Sequence, residues 1–135
     1  MLDALDVSAS GLLAQRQRLN LIAQNLANVN TTRDAAGRPV PYQRQVAVLQ
    51  AAPLPGAGGA VGVALVGVAA DPAPFRRVYD PTHPDADPQG YVNFPNVDVL
   101  TETVDALAAT RAYEANITAI DATKSMTTAA LRIIA

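Results

Sequence analysis

The sequence contains no cysteine and no tryptophan, and its formal net charge is only -2. The absence of cysteine excludes disulfides, thiolate metal sites and cysteine nucleophiles. Because neither end carries a run of charges, nothing predicts a surface that binds nucleic acid or an anionic membrane. No apolar run reaches the ~18 residues that a membrane-spanning helix needs, and no cleavable secretory signal is visible, so we expect neither feature.

Aromatic residues make up only 4% of the chain, although half of its residues are hydrophobic. Alanine and valine supply much of that apolar content, so we do not expect a thick core of large side chains. This composition favours burial along long, narrow contacts between helices.

Proline is absent from both ends, because all ten prolines lie between Pro39 and Pro95. A proline inside a helix costs about 3 kcal/mol, so only the two ends are free to form long helices. We therefore predict a mainly α chain. Residues 1–30 and 97–135 form an inner helical domain in this prediction, and residues 31–96 form a β-rich, irregular outer insert.

The N-terminal segment has a leucine every seven residues, at Leu5, Leu12, Leu19 and Leu26. This spacing predicts one apolar stripe along a helix. Gly11 costs about 1 kcal/mol against alanine in a helix interior, which indicates either a close contact or a weak point.

The helix is expected to end near residues 28–30, where asparagine and threonine favour caps and turns. The asparagines of residues 25–30 leave two alternatives open. They cap the helix end, or their amides bridge to neighbouring helices and fix the register.

The C-terminal segment begins with a 3-4-3 spacing of apolar residues that runs from Val97 to Leu107. The pattern resumes at Tyr113 after a change of phase near Arg111. This indicates either one helix with a stutter or two registers that face different neighbours. The remaining alanine-rich and threonine-rich faces suit close packing against further helices.

The insert contains four short stretches with strand-like patterns, at residues 43–50, 61–68, 75–79 and 91–94. Residues 51–60 are rich in proline and glycine and predict a hairpin tip or loop. We expect two to four short strands that do not form an independent globular core.

Four polar residues of the insert, Asp80, His83, Asp85 and Asp87, have the chemistry of a zinc or manganese site. The alternative is a series of rigid turns, because three prolines fix the backbone and carboxylates cap backbone N–H groups. We favour the turns because the chain has a single histidine. No nucleophile elbow and no phosphate-binding loop is present, so we expect no enzyme, no metal and no cofactor.

The residues from Gln17 to Thr32 include Gln-Arg-Leu-Asn, Asn-Leu-Ala-Asn and Asn-Thr-Thr, and this segment resembles the N-terminal signature of flagellar rod, hook and hook-associated proteins. Residues 111–116 resemble the second signature of the same axial family. The segments 71–81, 83–87 and 90–92 narrow the resemblance to its short, proximal rod members. The likeness spans nearly the whole chain, and it departs locally at Pro39, Pro41 and residues 51–60.

The resemblance implies a structural subunit of the flagellar basal-body rod, located in the periplasm and exported by the flagellar type III apparatus without a cleavable signal. It implies that the terminal helices pair as a coiled coil facing the central channel and become ordered on assembly. The expected partners are further copies of the chain and the rod proteins FlgB, FlgF, FlgG and FliE. No nucleic acid, small-molecule substrate or membrane span is implied.

The resemblance also assigns roles to residues of this chain. The predicted intrasubunit seam consists of Leu5, Leu12, Leu19, Ile22, Leu26, Leu100, Val104, Leu107, Ile117, Ile120 and Leu131. The predicted contacts between subunits are Asn25, Asn28, Asn30, Thr31, Arg111, Tyr113, Glu114 and Asn116. The predicted contacts of the outer insert are Tyr79, Asp80, His83, Asp85, Asp87, Tyr91 and Asn96.

Two other functions are compatible with the residues alone. A soluble helical adaptor or regulator of flagellar export would use the same helices to bind one partner, as a stable monomer or closed dimer. A small metal-dependent hydrolase would require bound metal at His83. Protection of the terminal helices from hydrogen exchange separates the adaptor from a rod subunit that orders on assembly.

Overall fold

A computed structural model of the protein describes residues 2–55 and 59–134. The elements in chain order are helix α1 (Leu2–Ala27), strands β1 (Gln45–Pro53), β2 (Val61–Ala70), β3 (Arg76–Tyr79) and β4 (Tyr91–Phe94), and helix α2 (Val99–Ile134). This confirms the mainly α class, with long terminal helices and a small β insert between them. The pairing of the helices as a coiled coil stays a prediction.

The helix ends follow from local polar side chains. Asn28 lies just past α1 and donates from Nδ2 to the carbonyl of Gln24 at 2.9 Å, so it caps the end of the helix. Asp98 precedes α2, and its carboxylate accepts hydrogen bonds from the Leu100 amide and the Thr101 hydroxyl. This is the geometry of an N-cap. The stop predicted at residues 28–30 is confirmed, and the C-terminal segment is one continuous helix.

The two helices pack antiparallel. Asn25 meets Glu102 near one end of the pair, and Gly11 lies against Asn116 further along it. A Cβ atom added at Gly11 would lie 2.8 Å from Nδ2 of Asn116, so the close contact predicted for this glycine is confirmed. Because α2 has 36 residues and α1 has 26, and the two helices meet at Asn25 and Glu102 near one end, the last turns of α2 extend past the start of α1.

Strands β1 and β2 form an antiparallel hairpin in which Gln45 pairs with Ala70 and Pro53 with Val61. The register shifts at Val48/Leu49, so one bulge interrupts the ladder. The hairpin packs on α1, where the Val63 amide donates to Oγ of Ser10 at 3.0 Å. The middle of the predicted tip, residues 56–58, lies outside the described residues.

Strands β3 and β4 form the second antiparallel hairpin, in which Tyr79 pairs with Tyr91 and the two rings stand edge to face. Val92, Pro95 and Val97 are buried where this hairpin leads into α2. Neither described helix is long and apolar enough to cross a membrane.

Candidate assembly site

Two polar side chains are among the most deeply buried of the described residues. Glu102 is 0% exposed and Asn25 is 1% exposed, and they join Val92 and Pro95 as the largest fully buried side chains. A buried carboxylate is costly unless it is paired and hydrogen-bonded, so its partners determine how this region is organised. We call the group around it the Arg44 cluster, which comprises Arg18, Asn25, Arg44, Asp71, Glu102 and Asp105.

Arg44 lies just before β1 and reaches three carboxylates. Its guanidinium contacts Glu102 at 2.5 Å, Asp105 at 3.1 Å and Asp71 at 3.2 Å. Its backbone amide donates to Oδ1 of Asn96 at 2.8 Å. Because the guanidinium offers donors in a fixed planar fork, one side chain connects α2 with two segments of the insert.

Asn25 connects α1 to the same cluster. Its Nδ2 donates to the Gln45 carbonyl at 2.9 Å and to Glu102 at 3.2 Å. Its Oδ1 accepts from the Tyr42 hydroxyl at 2.9 Å and from the Gln45 amide at 3.0 Å. The side chain therefore uses its full hydrogen-bonding capacity inside the chain. Burial, and then the negative charge of Glu102, raises the pKa of Tyr42.

A cleft of about 320 Å³ opens beside the Arg44 cluster, between α1, β1 and α2. Leu21, Ile22 and Leu49 supply apolar walls, and Arg18 and Asp105 lie in ion-pair contact at its charged side. The cleft marks the place where the helix pair and the insert meet.

The acidic turns of the insert use their side chains to hold the backbone. Asp80 accepts from the amide and the hydroxyl of Thr82, and these hydrogen bonds lower its pKa. Asp87 accepts from the amides of Gln89 and Tyr91, and the bond from Tyr91 contributes most to the lowering of its pKa. The capping role that we favoured for these carboxylates is confirmed.

Asp85 anchors the turn to the segment that follows α1. Arg33 contacts it with Nε at 2.8 Å and with Nη2 at 2.7 Å, and Thr32 donates to it at 2.8 Å. The bond from Arg33 is the main reason that the pKa of Asp85 is lowered. Nδ1 of His83 accepts from the Asp85 amide. Within residues 2–55 and 59–134, no three His, Asp or Glu side chains are placed to hold a metal ion.

Two family models match the chain, one at each end. Residues 5–33 match the model described as flagella basal body rod protein, and residues 89–133 match the flagellar basal body rod FlgEFG protein C-terminal model. The chain is 46% identical to the flagellar basal-body rod protein FlgC of Bacillus subtilis, over 96% of this chain and 95% of that protein. It is 41% identical to FlgC of Yersinia enterocolitica, over 93% and 92% of the two chains. It is 38% identical to FlgC of Borreliella burgdorferi, over 99% of this chain and 97% of that protein.

The chain belongs to the FlgC family of flagellar basal-body rod proteins. It is therefore a structural subunit of the flagellar basal body, and the family is not a class of enzymes. The first family model covers the asparagine-rich end of α1, and the second covers β4 and nearly all of α2. The rod resemblance predicted from the sequence is confirmed.

The residues of the predicted leucine-rich seam differ in burial between the two helices of this FlgC-family chain. In α1, Leu5, Leu12, Leu19 and Leu26 are half-buried and Ile22 is buried. In α2, Ile120 is half-buried, whereas the other members are exposed, namely Leu100, Val104, Leu107, Ile117 and Leu131. The face of α2 that is buried repeats every seven residues as Glu102, Ala109, Asn116 and Thr123, with Asn116 half-buried. Small and polar side chains therefore line the α2 side of the helix contact within the chain.

The exposed residues Leu100, Val104 and Leu107 form what we call the α2 strip. Their exposed fractions are 72%, 57% and 57%. Their spacing of four and three places them on one face of α2, opposite the face that α1 covers. The strip is a large apolar surface on a helix whose other side is already packed.

The residues predicted to contact other subunits occupy different environments. Asn25 is buried and makes its hydrogen bonds within the chain, so its amide bridges α1 to α2 and the insert while Asn28 caps the helix. The exposed members are Asn30, Arg111 and Glu114, and the half-buried members are Asn28, Thr31, Tyr113 and Asn116. In the insert, Tyr79 and Tyr91 are exposed, and Asp80, His83, Asp85, Asp87 and Asn96 are half-buried.

Sequence reasoning missed the Arg44 cluster. Arg44 and Glu102 are 58 positions apart, so no local pattern links them. Glu102 also falls outside the apolar 3-4-3 row, so the hydrophobic pattern of α2 does not indicate that it is buried. One signal in the sequence could have revealed this face of α2. Glu102, Ala109 and Asn116 are spaced by seven residues, and Asn116 is the residue that packs against Gly11.

Proposed function

We propose that this FlgC-family chain assembles helically as a proximal rod subunit around the export channel and transmits torque along the stack. In this proposal residues 1–30 and 97–135 form the inner, coiled-coil layer, and residues 31–96 form the outer insert. The partners are further copies of the chain, the rod proteins FlgB, FlgF, FlgG and FliE, and the flagellar type III export apparatus. The rod lies in the periplasm, and export uses no cleavable signal.

The α2 strip is the observation that carries this proposal. Burying one leucine side chain contributes about 1.5–3 kcal/mol, and two leucines and one valine lie exposed in a row. Apolar rows of this kind on a helix are covered when another helix packs on them. A contact between the strip and a different surface of the next subunit is heterologous, and repeated contacts of that type build an open helical stack.

The intrachain helix contact supports the same proposal. It is lined by Gly11, Ala14 and Ala109, which bury little apolar area per residue. A helix pair of this kind is marginal alone and gains stability from neighbours that bind its folded form. The turns of α2 that extend past α1 offer further helix surface for such neighbours.

The proposed torque path uses the Arg44 cluster. A load on the outer insert reaches the helices through Arg44, which contacts Glu102 on α2, and through Asn25 of α1, which contacts Gln45. Arg44 is held in turn by Asn96 and Asp71, on two other segments of the insert. A second link runs from Asp85 to Arg33, in the segment that follows α1. The two links lie on different segments of the insert, so together they resist its rotation against the helix pair.

A Leu107→Glu substitution tests the proposal. A charge in the strip makes its burial against a neighbour costly, so the variant is expected to be produced and exported at the wild-type level but to be absent from isolated basal bodies. The matched control is Thr110→Glu, which adds the same charge at an exposed position one turn further along α2. Basal bodies that contain normal amounts of the Leu107→Glu chain would rule out the strip as an assembly surface.

The adaptor function makes the opposite prediction for the isolated chain. An adaptor has α1 and α2 already protected from hydrogen exchange in a monomer or closed dimer. A rod subunit gains most of that protection on assembly, so amides of α1 and α2 are expected to exchange much faster in the isolated chain than in basal bodies.

A further inference from the structure

The carboxylate of Glu102 is buried at the end of the helix pair, and its two oxygens have different partners. Oε1 contacts Nε of Arg44 at 2.5 Å, and Oε2 accepts from Nδ2 of Asn25 at 3.2 Å. Asn25 is neutral, so the charge of Glu102 is balanced by Arg44. The compensating cation therefore comes from the insert, not from either helix.

The position of Arg44 depends on the docked insert. Its backbone amide is held by Asn96, whose own amide donates to the carbonyls of Asp71 and Ala73. The Arg44 guanidinium also contacts the Asp71 carboxylate at 3.2 Å. Three separate segments of the insert must therefore be in place before Arg44 can reach Glu102.

We propose that the Arg44–Glu102 pair couples the docking of the insert to the closure of the α1–α2 pair. Without Arg44, closing α1 onto α2 would bury an uncompensated carboxylate, which is strongly unfavourable. The first turns of α2 then stay open, so that Glu102 remains in water. The helix end and the insert consequently become ordered in one step. This inference stands on the contacts within the chain and does not depend on the proposed helical assembly.

Four forms of the full-length chain test the coupling: wild type, Arg44→Met, Glu102→Met and the double variant. Hydrogen exchange is followed in residues 99–109 of α2 and in strand β1, with trimethylamine N-oxide present to favour the folded state. In Arg44→Met, exchange in both segments is expected to accelerate by at least about 100-fold, because a buried charge loses its partner. In Glu102→Met and in the double variant, exchange is expected to stay within about tenfold of wild type, because the fully buried carboxylate is gone. The side chains of Asp71 and Asp105, which also lose Arg44 in the double variant, are 24% and 34% exposed and keep contact with water.

The control is Arg77→Met, which removes the exposed Arg77–Asp87 pair and is expected to leave both segments unchanged. A second readout, the amount of each variant in isolated basal bodies, is expected to follow the same order. The coupling is refuted if Arg44→Met leaves both segments protected, if only one segment opens, or if the double variant exchanges as fast as Arg44→Met.

Discussion

Nδ2 of Asn25 lies 3.2 Å from Oε2 of Glu102, and this contact between α1 and α2 is closed to solvent. An apolar contact at this place would tolerate sliding of one helix along the other. A buried amide with a carboxylate partner has one favourable position, as buried asparagines have in coiled coils. The pair therefore fixes the register of the two helices, and with it the distance by which α2 extends past α1.

An Asn25→Ala substitution is expected to lower the free energy of unfolding by about 2–4 kcal/mol. It removes two donated and two accepted hydrogen bonds, and it leaves Glu102 and the backbone of Gln45 short of partners. Urea unfolding followed by far-UV circular dichroism measures the change, with trimethylamine N-oxide present so that the isolated chain starts from its folded state. The control is Asn20→Ala on the exposed face of α1, which is expected to change stability by less than about 0.5 kcal/mol. Equal effects of the two substitutions would contradict the role given to Asn25.

Gly11→Val is expected to destabilise the chain by about 1–3 kcal/mol, because the added atoms overlap the Asn116 side chain and push α1 away from α2. Gly67→Val is the matched control, since an added Cβ at Gly67 in β2 meets nothing within 4 Å. Thermal unfolding of both variants checks the difference. If Gly11→Val unfolds at the same temperature as the wild-type protein, the two helices do not approach each other as closely at Gly11 as the contact with Asn116 indicates.

Acid is expected to weaken the attachment of the insert. Hydrogen bonds from Arg33 and from the Ala73 amide hold the pKa values of Asp85 and Asp71 below the ordinary aspartate value of 3.8. A carboxyl whose folded-state pKa is lowered stabilises the fold above its unfolded-state pKa, and this stabilisation is lost as the pH falls through the folded-state value. Loss of structure is therefore expected below about pH 4. The tyrosine fluorescence of the chain reports it, because three of its four tyrosines, Tyr42, Tyr79 and Tyr91, lie in the insert.

The Asp85→Asn variant is the control for the acid transition. It lacks the carboxylate that pairs with Arg33, so it is expected to be less stable near neutral pH and to lose less stability on acidification. An acid transition of unchanged steepness in this variant would show that Asp85 does not contribute to it.

Much of the fold could be predicted because proline and asparagine act locally. The confinement of proline to residues 39–95 left both ends free to be helical, and the stop near Asn28 follows from side-chain capping. The strands lie where alternating or β-branched residues occur, with β4 at Tyr91–Phe94 as predicted. Each of these features depends on residues that are close together in the sequence.

The orientation of α2 could not be predicted in the same way. Its sequence contains two stripes, one with Leu100 and Leu107 and one with Glu102 and Ala109, and both repeat every seven residues. Hydrophobicity alone favours the leucine stripe as the contact with α1. The stripe that actually contacts α1 is the one with Glu102, because Asn25 bonds to Glu102 and Gly11 lies against Asn116. In a subunit of an assembly, the most apolar face need not be the one that the chain covers itself.

The antiparallel packing of α1 and α2 places Ala27 and Val99 at one end of the helix pair, beside the insert, while Leu2 lies alongside the C-terminal part of α2. At 1.5 Å per residue α1 is about 40 Å long and α2 about 55 Å. Because the chain has no cysteine, single cysteines introduced at the exposed positions Ala4 and Val99 are unique attachment points for a fluorescent donor and acceptor. Energy transfer between them would report whether α1 lies antiparallel along α2, because the two labels are then about 40 Å apart.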